Sequence, residues 1–129
     1  MIVVDASAMI DALIVGPRSA AVMQRLRQEQ TFAAPHLLDV EVAQVSRRLV
    51  RTGQLAPANA LAALANLIAL PITRYPHTRL IARAFAVRNN VTVYDGIYIA
   101  LAEALKIPLI TCDAKLAAVP GHRAMVEVL

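Results

Sequence analysis

The chain has 129 residues, 58% of them hydrophobic, with a formal net charge of +4 and a pI near 9.8. That is one ordinary domain's length with enough apolar material for a single core, so residues 1–129 read as a single domain. Three further features exclude whole classes. No run approaches the roughly 20 apolar residues of a membrane span, Met1 leads into strand-like sequence without a basic leader, and the lone Cys112 excludes an internal disulfide, so a soluble cytoplasmic protein without redox chemistry is expected.

In chain order, Ile2 to Asp5 is a short apolar run that reads as a buried strand, and Ser7 or Asp5 can cap a helix running to about Ile14, stopped by Gly16-Pro17. From Pro17 to about Gln28, Val22, Met23 and Leu26 recur at helical spacing, before a second strand, Thr31-Phe32-Ala33, and a turn at Pro35. Leu38, Val42, Val45 and Leu49 form one stripe of a helix from Leu37 to about Arg51, with Gly53 as its stop. Pro57 opens an Ala- and Leu-rich helix that closes before Pro71; Ile72-Thr73 is a weak third strand, and Thr78 to about Arg88 reads as helix. A helix from Asp95 to Lys106, a strand from Pro108 to Thr111, a short helix near Lys115 and a strand from Met125 to Leu129 complete the chain. This alternation predicts a three-layer α/β/α sandwich around a mostly parallel sheet of about five strands, because parallel neighbours need crossovers and usually take helical ones.

Four of the nine carboxylates fall at positions where such a fold would gather them: Asp5 and Asp113 just past strands, Glu41 on a helix, Asp95 opening another. In open parallel sheets the ligand crevice lies beyond the carboxyl ends of the strands, where the strand order reverses. Each acid has a structural alternative. Asp5, Asp95 and Asp113 can cap helices, and Glu41, on the shoulder of an apolar stripe, can point to solvent. Asp39 lies about 200° around the same helix from Glu41 and reads as a surface acid. As a set, four like charges in one crevice repel unless a cation compensates, and a hard ion with oxygen ligands and retained waters suits them. His36, His77 and His122 are isolated and lack zinc spacing.

The basic residues are eleven arginines against two lysines, a balance suited to bidentate phosphate contacts. Arg47, Arg48 and Arg51 crowd one helix end, where they also complement its dipole. Arg79 and Arg83 lie one turn apart on a second predicted helix. Either group could hold a phosphate backbone or form a solvated face, with Arg47, Arg48, Arg79 and Arg83 the candidates for nucleic-acid contact.

The opening IVVDASAMID, the stretch APHLLDVEVAQVSRRL, the segment YDGIYIALAEAL and the later LITCD, in this order, resemble the PIN-domain family, specifically the VapC-type toxins of bacterial toxin–antitoxin pairs. The resemblance runs from residue 2 to about residue 120. It implies an endoribonuclease dependent on Mg²⁺, or Mn²⁺, with Asp5, Glu41, Asp95 and Asp113 as its acidic quartet. Asp5 and Asp95 would be direct metal ligands, and Asp113, with Glu41, would hold waters or a second ion. Ser7 and Thr111 would orient the carboxylates by hydrogen bonds. It further implies an RNA substrate with unpaired backbone, a homodimer, and an antitoxin that lays a helix in a groove and inserts a basic side chain; a mean hydropathy of +0.56 agrees with a covered apolar surface. Gly96 departs from the alanine expected after the aspartate and should loosen that helix start.

Three other classes share features with this pattern. A receiver domain would want an acid at the end of a middle strand, where Phe32-Ala33-Ala34 and Thr73-Arg74-Tyr75 have none. A haloacid-type phosphatase would want two aspartates around one residue, which Asp5-Ala6-Ser7 lacks. A non-catalytic module whose acidic pocket docks a basic peptide keeps the quartet and predicts no metal-dependent cleavage.

Overall fold

The computed structural model describes residues 1–14 and 16–129. Its centre is a five-stranded sheet of β1 (Ile2–Val4), β2 (Phe32–Pro35), β3 (Ile72–Tyr75), β4 (Leu109–Thr111) and β5 (Val126–Val128). The spatial order is β3-β2-β1-β4-β5 and every neighbouring pair is parallel, with Val3 in register with both Ala33 and Leu109. The helices are α1 (Ala6–Leu13), α2 (Ser19–Leu26), α3 (Leu37–Arg51), α4 (Pro57–Ala69), α5 (Ile81–Ala86), α6 (Val93–Leu105) and α7 (Ala114–Ala117). The predicted sandwich with its parallel sheet of five strands is the observed architecture.

The strands β1, β2 and β4 are wholly buried, as the apolar, non-alternating runs require of a parallel sheet covered on both faces. One helical group, α1 to α4, packs together and meets the sheet through α1 on β4 and α3 on β2. The other pairs α5 with α6, and α6 lies across β1, β2 and β4. Seven consecutive residues of α6, Gly96 to Ala102, are buried, so this helix is apolar all round because protein surrounds it. No helix among the described residues is long and apolar enough to cross a membrane.

The chain leaves β1 for β2 and β3 on one side and later crosses to β4 and β5 on the other. Strand order therefore reverses between β1 and β4, and Asp5 and Asp113 emerge there together.

Several local expectations are corrected. Asp5, not Ser7, caps α1, accepting from the Ala8 amide at 2.9 Å. The second strand runs through Pro35 instead of turning there, pairing in register with Tyr75, so β3 is also longer than Ile72-Thr73. The segment from Thr78 to Arg88 is not one helix: a 3₁₀ turn, His77–Arg79, precedes α5, so Arg79 and Arg83 do not share a helical face. The α6 cap is Thr92, whose hydroxyl accepts from the Asp95 amide at 3.2 Å, which places Asp95 inside the first turn. Asp39 is no free surface acid. Arg74 of β3 grips it from Nε at 2.7 Å and Nη2 at 3.0 Å, tying α3 to the sheet edge.

Gly96 has a different role from the one its backbone freedom suggested. A Cβ there would lie 3.0 Å from both Cα and O of Ala84 and 3.1 Å from its Cβ, so the missing methyl lets α5 press against the start of α6. The cost in helix propensity is offset by close packing.

Candidate active site

The carboxyl edge of the sheet opens into a cavity of about 700 Å³ whose lining includes Asp5, Ser7, Glu41, Arg48, Tyr94, Asp95, Tyr98 and Asp113. All four predicted acids thus meet at one place, contributed by the ends of β1 and β4 and by α3 and α6.

Asp5 is the most enclosed, at 5% exposure. Its Oδ1 accepts from the Ala8 amide at 2.9 Å and from Ser7 Oγ at 2.7 Å, and its Oδ2 accepts from Thr111 Oγ1. The two hydroxyls are themselves fixed by the backbone beyond β4: the Cys112 amide donates to Ser7 Oγ at 2.9 Å and the Asp113 amide to Thr111 Oγ1 at 3.0 Å. Ser7 and Thr111 thus bond one Asp5 oxygen each. With three bonds on about four lone-pair sites, Asp5 keeps capacity facing the cavity. Asp113 caps α7, its Oδ1 accepting from the Lys115 amide at 2.9 Å.

Glu41 is half-buried and accepts the Tyr98 hydroxyl at 2.7 Å on Oε2. Tyr98 is 1% exposed and escaped the sequence reading. The signal that could have found it is its spacing, three residues after Asp95 and so on the same face of α6.

Burial drives the electrostatics. It pushes the Asp5 carboxyl above its ordinary value, against the hydrogen bonds from Ala8, Thr111 and Ser7, and the Asp95 charge adds to the rise. Glu41 is likewise raised by burial and by the charges of Asp95 and Asp5, with the Tyr98 bond opposing. Asp95 is raised by burial and by Asp113, with Thr92 opposing. Tyr98 is held upward by burial and by Glu41. Asp95 is the hub of this set, close enough to act on Asp5 and Glu41 and to be acted on by Asp113. Carboxylates that raise one another and lack an arginine partner fit a bound cation.

The expected metal set of Asp5, Asp95 and Asp113 does not close on a single point. Among the described residues no three acidic, imidazole or thiol side chains form a ready-made cluster. The reason is local: Asp5 is drawn back onto Ser7 and Thr111, and Asp113 toward the α7 amide. Such a wide donor set suits a hydrated hard ion better than a fully chelated one.

The arginines separate. Arg48 lines the acid cavity, and with Arg47, Arg51, Gln44 and Thr52 it lines an adjoining hollow of about 420 Å³. Arg83 is committed elsewhere, donating to Glu103 at 2.7 and 2.8 Å and to the Gly121 carbonyl at 3.0 Å, and Arg79 lies outside the acid cavity's lining. An acid on α6 thus takes up the Arg83 fork. Cys112 is buried, its thiol pushed up to about 11 chiefly by burial and then by Asp11, which agrees with the inert reading.

The PIN-domain family matches residues 2–122. The chain belongs to the PIN-domain family. Ribonuclease VapC1 of Mycobacterium tuberculosis is 48% identical over 120 residues, spanning 92% of this chain and 90% of that protein. Among solved structures, this PIN domain superposes on M. tuberculosis VapC20, a sarcin–ricin loop cleaving toxin, with a TM-score of 0.72 at 17% identity, over 95% of this chain and 97% of that one. It also superposes on VapBC2 from Rickettsia felis bound to a promoter DNA fragment, with a TM-score of 0.71 at 11% identity, over 100% and 99%. At these identities the superpositions speak for the fold alone.

Proposed function

We propose that the protein is a divalent-metal-dependent endoribonuclease acting as the toxin of a toxin–antitoxin pair. The observation that carries this reading is the convergence of Asp5, Glu41, Asp95 and Asp113 on one cavity at the strand-order reversal, with no arginine bonded to any of them among the described residues. The ribonuclease name of a relative at 48% identity supports it. Mg²⁺ or Mn²⁺ held by Asp5 and Asp95, with Asp113 and Glu41 gripping its waters, would offset phosphate charge and acidify water.

The chain's own groups do the rest. Ser7 and Thr111 hold the Asp5 oxygens in a fixed plane, so the carboxylate does not have to reorganise when substrate arrives. Tyr98 fixes the Glu41 carboxylate, leaving its other oxygen to accept a proton or orient water. Arg48 at the cavity wall, and Arg47 in the adjoining hollow, would hold the phosphates next to the scissile one. RNA with unpaired backbone is the substrate class, because a flexible strand can descend into the cavity where a duplex cannot.

The partner we assign is an antitoxin whose basic side chain enters the acid cavity while apolar residues cover the neighbouring depression. That depression, about 330 Å³, is lined by Leu37, His77, Ile81, Val93, Tyr94 and Ile97 and shares Leu37 and Tyr94 with the acid cavity. A homodimer is part of the same proposal.

The test is incubation of purified protein with RNA in Mg²⁺ and in chelator. Cleavage is expected only with the metal, and Asp5→Asn should lower its rate by at least roughly a hundredfold while preserving the fold. Binding of a basic peptide without cleavage under any metal would replace the nuclease with a docking module.

A further inference from the structure

We propose that Arg18 is a positioning residue for the acid cavity, acting on Asp5 and Asp113 together through the single peptide group that joins Cys112 to Asp113. This assignment rests on the nuclease reading of the cavity. Arg18 sits between α1 and α2, remote in sequence from β4, and its Nη1 donates to the Cys112 carbonyl. The amide of that same peptide unit is the Asp113 N–H, which donates to Thr111 Oγ1 at 3.0 Å. Thr111 Oγ1 in turn donates to Asp5 Oδ2. A fixed cation therefore sits at the head of an unbroken chain of donors and acceptors: guanidinium, peptide, hydroxyl, carboxylate.

Two physical consequences follow. Hydrogen bonds in series polarise one another, so a guanidinium on the carbonyl makes the Asp113 amide a stronger donor and the Thr111 hydroxyl, in accepting from it, a stronger donor to Asp5. The same bond also pins the turn between β4 and α7, which carries the Asp113 side chain. Arg18 is exposed, and Thr111 is fully buried with its hydroxyl's contacts, to Asp5, the Asp113 amide and Ser7, all inside the chain, so the polarisation enters from the surface and ends at the cavity floor. The route through the preceding peptide has no charged head among the described residues: the Cys112 amide donates to Ser7 Oγ, and its peptide's carbonyl on Thr111 accepts the Leu129 amide at 3.0 Å. The two oxygens of Asp5 are thus served by two consecutive peptides, and Arg18 selects one.

Arg18→Met and Arg18→Lys should be compared with wild type by steady-state RNA cleavage at saturating Mg²⁺ and by amide ¹H–¹⁵N spectra of the metal-free protein. Arg18→Met is expected to lower kcat on the order of tenfold with KM held within about twofold, because ligand placement and not substrate binding is disturbed. The Asp113 amide proton should move upfield in that variant while the Cys112 amide stays, and Arg18→Lys should recover most of both effects. An unchanged Asp113 amide overturns the proposal, as does a rise in KM at constant kcat, which would make Arg18 a phosphate contact. Should wild type fail to cleave RNA at all, the nuclease reading falls, and the amide spectra still decide whether Arg18 governs the peptide.

Discussion

Helix α6 carries one carboxylate near each end, and the two meet opposite fates. Asp95 lies in the first turn, where the helix dipole favours a negative charge, yet its carboxyl is raised by burial and by Asp113. Glu103 lies near the last turn, where the dipole disfavours it, yet it is lowered to about 2, chiefly by the Arg83 fork. The difference is partnership, not position. Glu29 and Glu127 share Arg25, Asp39 has Arg74, and Glu103 has Arg83. Among the described residues, the four acids of the cavity have only each other, hydroxyls and backbone amides. Arginine partners hold Glu29, Asp39, Glu103 and Glu127, whereas among the described residues none bonds the four acids of the cavity.

Three measurements bear on this contrast, in falling order of effect. Gly96→Ala should cost about 1–3 kcal/mol of stability, because the added methyl meets the Ala84 backbone at 3.0 Å and must drive α5 off the start of α6. Chemical denaturation reads that loss, and Asp95 should be displaced enough to weaken RNA cleavage as well. A variant as stable as wild type would show that α5 yields freely.

Glu103→Gln should cost about 1 kcal/mol, a fall of about 4 °C in Tm, by removing the charge that holds Arg83 while leaving acceptors for it and for the Arg123 amide. RNA cleavage well below the melting range should be unchanged, which separates the paired acid from the unpaired ones.

The smallest effect is on pH dependence. Asp5, Glu41 and Asp95 are raised from ordinary values of 3.8, 4.5 and 3.8, so above those values the folded chain retains protons that the unfolded chain has released. The metal-free protein should therefore lose stability as pH rises out of the ordinary carboxylate range and through the raised values. Glu103 has the opposite sign: its contribution is present above 4.5 and fades as pH falls toward about 2. Asp95→Asn should flatten the rising-pH loss, and added Mg²⁺ should offset it; a slope indifferent to both would mean the acids do not act as a set.

Elements governed by local pattern were readable without the fold. The apolar stripe of Leu38, Val42 and Val45 with Gly53 behind it located α3 as Leu37–Arg51, and Gly53 does adopt φ +73°. Asp5, Asp95 and Asp113 were legible because strand ends and helix starts place acids predictably, and Glu41 because it sits on the shoulder of the α3 stripe. What could not be read required a partner from elsewhere in the chain. The pairing of Arg83 depends on Glu103, twenty residues on; the pairing of Asp39 depends on Arg74; the Tyr98 bond to Glu41 joins α6 to α3. Thr92 rather than Asp95 became the α6 cap because Val93 and Tyr94 join the helix ahead of it, a boundary shift that propensity does not resolve.

The chain has no tryptophan and three tyrosines, of which Tyr94 and Tyr98 line the acid cavity. Two of its three near-ultraviolet emitters therefore stand beside the carboxylates, where an adjacent ionised group quenches a phenol. The molecule thus carries an unlabelled optical gauge of whatever enters the cavity, readable in real time without a dye.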